Sequence, residues 1–232
     1  MLLRGGTVSA GSFTIGGYAA VMAGAFAGSL MIMGVLLLLS SALKDTLMLL
    51  ITGIMIGYLT SSVIMLLNFV STAEGVQSYV MWGMSSFGGV SVRQLPLFCS
   101  VTAVGLVMSL LLMKPLDLLL LGDGYARNLG VNLQRVRNLL LLATGILTAV
   151  ITAYCGPVAF IGLSVPHIAR MIFRTDSHRV LMPGTLLTGA AVALGCNLMC
   201  VLPANSVIPL NAVTPLIGAP VVIWVLFKHR SR

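Results

Sequence analysis

The chain has 232 residues, of which 58% are hydrophobic and 8% charged, where a soluble domain carries about a quarter charged residues. With a mean hydropathy of +1.07, this composition excludes a soluble globular fold. The net charge of +8 would suggest nucleic acid in a soluble protein, but here the charges sit in short islands between long apolar runs, so lipid is the expected surrounding and no nucleic-acid partner is expected.

In hydrocarbon every backbone donor and acceptor must be satisfied within the chain, which leaves helix bundles or closed barrels. The apolar runs are continuous rather than alternating, so an all-α polytopic membrane helix bundle is predicted. A span needs about 20 apolar residues. Candidates fall at 15–40, 46–70, 94–114, 138–154, 158–172, 181–202 and 212–228, seven in all, two of them short.

Within the first two spans, Gly24 with Gly28 and Gly53 with Gly57 form GxxxG pairs, which let a second helix approach closely. For Gly24 and Gly28 the expected neighbour is another helix of the same chain. After the second span, Ser71 to Val92 contains Glu74, Gln77, Tyr79, Trp82 and a Ser-Ser-Phe-Gly-Gly turn. Tyr and Trp favour the membrane–water interface, which predicts a short helix lying at the outer surface. It is either part of a vestibule or a plain connection.

The segment Lys114 to Arg137, KPLDLLLLGDGYARNLGVNLQRVR, is too long and too patterned for a simple connector. Gly122, Gly124 and Gly130 punctuate two short amphipathic helices, and Leu129 and Val131 lie beside charged Arg127. Such a loop offers a docking surface.

Further on, Pro157, Pro166, Pro183, Pro203, Pro209, Pro215 and Pro220 are expected to break the C-terminal third, which marks it as a candidate pathway. Residues 203–220 read as an irregular or short-helical hairpin capped by Asn205 and Ser206. The cysteines at 99, 155, 196 and 200 lie in apolar surroundings without CxxC or ligand-spaced His, so they are read as small buried hydrophobes and no metal site or cofactor is expected.

Lys and Arg accumulate in cytoplasmic loops. One set of loops holds Lys44, Lys114, Arg127, Arg135, Arg137, Arg170, Arg174, Arg179, Lys228, Arg230 and Arg232, eleven residues, and the other holds Arg4 and Arg93. This predicts a cytoplasmic C-terminus and, with seven crossings, an outer N-terminus. Residues 1–14 do not resemble a signal peptide, so an odd number of upstream helices is expected to be missing.

No catalytic constellation is visible. Asp45, Asp117, Asp123 and Asp176 lie in or beside loops, and no GxxxxGK[ST] occurs, so any ATP hydrolysis would belong to a separate subunit. A secondary transporter with broken helices and a non-transporting membrane scaffold are the alternative classes.

Several of these segments resemble one family. LGDGYARNLGV at 121–131 is similar to the ATPase-contacting loop of FecCD-type permeases, the membrane subunits of ABC importers for iron-siderophores, haem and cobalamin. GPVAFIGLSVPHIARMIFRTDSHRVLMPG at 156–184 resembles the family's most characteristic segment, VMWGMSSFGGVSVRQL at 80–95 its outer short helix, and PLIGAPVVIWVLFK at 215–228 its last helix.

The resemblance implies a type II ABC importer transmembrane subunit with about seven of the family's ten helices, N-terminally truncated by three. Residues 1–232 would form one permease domain in the inner membrane, with 114–137 as its cytoplasmic coupling loop. It implies two ATPase subunits inside, a substrate-binding protein outside, and a second permease subunit that is either another copy or a related chain. Gly122, Asp123, Ala126, Arg127, Leu129, Gly130 and Val131 would form the ATPase-coupling helices, and Gly156, Pro157, Gly162, Pro166, His167 and Arg170 would shape the short helix returning to the cytoplasm. For His167 and Arg170 a capping or snorkelling role is favoured over contact with cargo. The pathway would follow the second span, with an inner constriction near Ser40 to Thr46.

Overall fold

The computed structural model describes residues 7–10, 13–43, 46–202 and 208–230. A small antiparallel hairpin, β1 (Thr7–Ala10) and β2 (Phe13–Gly16), precedes α1 (Gly17–Ala42). There follow α2 (Thr46–Val70), α3 (Ala73–Gly83), α4 (Leu95–Leu111), α5 (Met113–Leu119), α6 (Asp123–Asn128), α7 (Leu133–Cys155), α8 (Ile161–Phe173), α9 (His178–Val201) and α10 (Leu210–Arg230). The membrane part is an all-α bundle, and the seven predicted apolar runs all appear as helices.

Their lengths differ from the sequence expectation in two places. The run at 138–154 belongs to the 23-residue α7, which starts earlier because Asn132 caps it by accepting the Arg135 amide at 3.0 Å. The run at 94–114 is divided at Leu112, where α4 and α5 meet at a 42° bend. Among the described residues, four helices are long and apolar enough to cross a membrane alone, a fifth span arises if the bent pair is counted as one, and α8 and Leu210–Trp224 are shorter apolar helices.

The expected helix breaks are largely absent. Pro166, Pro183, Pro215 and Pro220 lie inside continuous helices, while Pro157 precedes α8 and Pro209 precedes α10. A proline removes one backbone amide, and in a membrane helix surrounding groups can satisfy the carbonyl it leaves. Where an irregular hairpin is expected over 203–220, Leu210 onward is helical; Pro203, Asn205 and Ser206 lie outside the described residues. The short helix expected after the second span is present as α3, capped by Thr72 through the Gly75 amide and followed by a 3-10 turn at Phe87–Gly89.

Two groups of helices make the bundle. In the first, α7 lies between α1 and α4 and buries Val136, Ala143, Ala149, Val150 and Ala153. Gly105 of α4 meets the Leu147 side chain, and Gly145 of α7 meets Met33 of α1, so close that an added methyl would stand 2.6 and 2.5 Å from the neighbour. In the second group α8 packs on α9 and α10, with Gly184 against the Phe173 ring and Gly218 against Ser164. Cys196, Cys200 and Leu210 form its buried centre.

The GxxxG pairs behave differently from expectation. Among the described residues, no side chain comes within 4 Å of a methyl placed on Gly24, Gly28 or Gly57, and Gly53 meets Leu36 at 3.9 Å. Gly28 instead lines an open apolar groove of about 470 Å³ between α1 and α7. α2 touches the rest of the chain lightly and exposes Leu50, Ile54, Tyr58, Leu59 and Met65. Cys99 also departs from expectation: it is exposed on α4, whereas Cys155, Cys196 and Cys200 are buried. On a lipid-facing helix surface an apolar thiol needs no protein cover.

Gly105→Leu is expected to destabilise the fold by about 1–3 kcal/mol by forcing Leu147 away, whereas Gly57→Leu should change stability by less than about 0.5 kcal/mol. Thermal midpoints of the purified protein in detergent measure both, and equal midpoints would contradict the α4–α7 contact.

Candidate functional site

Between α4 and α7 the chain makes an elbow, and its sequence explains the shape. Gly122, at φ +99°, ends the α5 turn and starts α6, and Gly130, at φ +85°, ends α6 before Asn132 caps α7. Both conformations favour glycine. The Ala126 carbonyl accepts the Val131 amide at 3.0 Å, and Ala126 itself is completely buried, so the elbow is anchored through one small residue. The remaining residues point outward: Asp123, Arg127 and Gly130 are exposed beside exposed Leu120, Leu121, Tyr125 and Leu129. An exposed apolar patch with one acid and one base on it has the composition of a surface that another protein can cover.

The elbow is tied to the bundle by two polar clusters. In one, Arg137 donates to the Leu43 carbonyl at 2.6 Å, to the Ser40 carbonyl and to Gln134 Oε1, capping the C-terminal end of α1 from α7. Ser40 Oγ donates to Asn138 Oδ1 at 2.9 Å and is fully buried. Ser40 is therefore a helix-end anchor rather than part of an open constriction, and Lys44 and Asp45 of that expected constriction lie outside the described residues. In the other cluster Asp117 of α5 accepts the His178 backbone amide at 2.6 Å and faces its Nδ1 at 2.9 Å.

The second group of sequence-predicted residues divides between the two ends of the bundle. Gly156, at φ +81°, is buried where a methyl would stand 2.6 Å from the Trp82 carbonyl, so only glycine fits. The Pro157 carbonyl accepts from Ser85 Oγ at 2.8 Å and from Asn211 Nδ2 at 2.6 Å. Asn211 Nδ2 also reaches the Gly83 carbonyl at 2.8 Å, and its Oδ1 accepts the Ala159 amide at 3.1 Å. One asparagine thus joins the end of α3, the α7–α8 turn and the start of α10. Ser85, at φ +59°, and Phe160, at φ +66°, take backbone conformations that ordinary side chains rarely adopt, and both adjoin this knot.

Gly162, Pro166, His167 and Arg170 lie along α8, which carries them away from this knot. Gly162 has open space around it, and Arg170 is exposed, its carbonyl accepting the Arg174 amide in the last turn. Among the described residues, no hydrogen bond or ion pair connects the His167 or Arg170 side chain to the elbow. Asn211, Ser85, Asp117, His178 and Arg137 are not among the site residues expected from the sequence. The available signal was a polar side chain next to an apolar run, which is costly in a membrane unless it has a partner.

The sequence model of the FecCD transport family matches residues 5–228. The chain belongs to the FecCD transport family. It is 38% identical over 184 residues to the vitamin B12 import system permease protein BtuC of Klebsiella pneumoniae subsp. pneumoniae, covering 79% of this chain and 55% of that protein. It is 37% identical over 205 residues to the protein of the same description from Salmonella typhi, covering 88% of this chain and 62% of that one. This chain therefore spans 55% and 62% of the length of these two relatives. Its fold is similar to a solved inward-facing structure described as a metal-chelate type ABC transporter, with TM-score 0.79, 29% identity, and coverage of 91% of this chain and 74% of that one.

Asn211→Ala should lower stability by about 0.5–1.5 kcal/mol, because the Gly83 carbonyl and the Ala159 amide lose their side-chain partner, whereas the Pro157 carbonyl keeps Ser85. A thermal midpoint unchanged from the parent protein would show that water replaces the amide.

Proposed function

We propose that this chain is the membrane-spanning permease subunit of an ATP-driven importer of metal chelates. The observation that carries this reading is the elbow over α5 and α6: a projecting apolar and charged surface, anchored at its base, in a member of a transport family. Residues 114–137 act as the coupling loop of a single transmembrane permease domain. Gly122, Asp123, Ala126, Arg127, Leu129, Gly130 and Val131 build the part that enters an ATPase subunit: the two positive-φ glycines set the turns, Ala126 anchors them, and Arg127 and Leu129 face the partner. Gly156 and Pro157 set the turn into α8 at the other end, and Gly162, Pro166, His167 and Arg170 shape α8 itself.

The partners in this reading are two ATPase subunits, a second permease subunit that is a further copy or a related chain, and a substrate-binding protein on the outer face. The membrane is the inner membrane, with the elbow and the C-terminus in the cytoplasm. Eleven of the thirteen Lys and Arg residues lie at the elbow side of the predicted topology, as the positive-inside rule requires. The cargo is a chelated metal, and cobalamin is the first to test because the similar BtuC proteins are described as vitamin B12 import permeases. Siderophore and haem are the competing cargoes.

Leu129→Asp and Gly130→Trp are expected to reduce ATP-dependent uptake by about tenfold or more at unchanged membrane levels, because each spoils the centre of a docking surface. ATPase co-purification and labelled-cobalamin uptake measure it, with siderophore and haem as parallel cargoes. Uptake that needs no ATPase but collapses with an ion gradient would identify a secondary carrier instead.

Orientation has its own check. In a Cys99→Ser background, a cysteine at Ser86 should react with an impermeant thiol reagent outside intact cells, and one at Asn128 should be protected. The reverse pattern would overturn the cytoplasmic elbow.

A further inference from the structure

α9 starts without a cap of its own. Its N-cap residue, Ser177, makes no side-chain capping bond, yet the first amide of the helix, that of His178, is satisfied. Its partner is Asp117, 61 residues earlier on α5. The same carboxylate oxygen faces His178 Nδ1 at 2.9 Å, and the other lies 3.5 Å from Ser177 Oγ. A carboxylate at a helix N-terminus is favoured by the unpaired amides and the helix dipole. The side chains of His178 and Asp117 are only 16% and 26% exposed, so water competes poorly for the contact.

The place of this contact gives it consequence. α5 is continuous with α6 through the Gly122 turn, and it is the part of the elbow that packs on α9. α9 in turn packs on α8 and α10, the second helix group, whereas α6 itself leans on α7 of the first.

We propose that Asp117 is a positioning residue that locks α5 to the start of α9, so that displacement of the elbow is delivered to the α8–α9–α10 group as one rigid movement. This rests on the coupling reading of the elbow. Without the lock, the elbow can still dock and the ATPase can still turn over, but its movement is lost between the two helices.

The test uses the complete transporter, with its ATPase and binding protein, in proteoliposomes, reading cobalamin uptake and ATP hydrolysis together. Asp117→Ala should lower uptake per ATP hydrolysed by about tenfold, within the range by which residues between sites modulate coupling, with hydrolysis and assembled complex unchanged. Asp117→Asn should recover much of the ratio, since its carbonyl oxygen still accepts the His178 amide. Bridging cysteines at 117 and 178 with a short bis-thiol reagent, in the Cys99→Ser background, should restore the ratio that the unbridged pair loses.

An unchanged ratio in Asp117→Ala, a parallel fall in uptake and hydrolysis, or a bridged pair that stays uncoupled would each overturn the proposal. Absence of ATP-dependent uptake by the unsubstituted transporter would instead remove the functional reading beneath it.

Discussion

Where a helix of this chain ends against the bundle, its last carbonyls or first amides need partners, and that constraint organises the contacts between helices. Thr72 and Asn132 cap α3 and α7 locally, but at three other places the partners are borrowed from distant elements. Arg137 of α7 closes the end of α1, Asp117 of α5 closes the start of α9, and Asn211 of α10 serves carbonyls at the end of α3 and in the α7–α8 turn. Each borrowed partner does two things at once: it satisfies a helix end and fixes the position of one helix against another. Between these ends the helices are held by close approach, as at Gly105 with Leu147 and Gly184 with Phe173.

Polar side chains in the middles of the long helices, such as Thr60 and Thr144, instead return their hydroxyls to carbonyls of their own helix. In lipid the hydrophobic effect does not drive one apolar helix onto another, so mid-membrane contacts depend on fit and terminal contacts on hydrogen bonds. The result is two helix groups with polar links between them at two places: the Asn211 knot joins α3 and the α7–α8 turn to α10, and the Asp117 contact joins α5 to α9.

Exposed apolar surface means different things along this chain. On α2 it forms the sides of a long apolar helix, where lipid or another helix is the natural cover. On the elbow the same residue types, Leu120, Leu121, Tyr125 and Leu129, project beside Asp123 and Arg127 on short helices that cannot span anything. Charged neighbours and short length make that patch suited to another protein rather than to acyl chains.

Much of the architecture was legible in the sequence, because hydropathy acts residue by residue and needs no knowledge of neighbours. The apolar runs, the short helix after α2, and the glycine-punctuated elbow were all readable for that reason, and so was the family, through segments such as LGDGYARNLGV. What the sequence could not express was who meets whom. GxxxG spacing states that a backbone can be approached, not that one is, and Gly24, Gly28 and Gly57 face open space while the isolated Gly105 carries a tight contact. The prolines of α8, α9 and α10 read as breaks because their cost is local, but the structure absorbs them in continuous helices. The tertiary structure alone brought Asp117 to His178, and Asn211 to Pro157 across 54 positions, because a contact between distant residues is decided by how whole helices pack and not by any property of the residues between them.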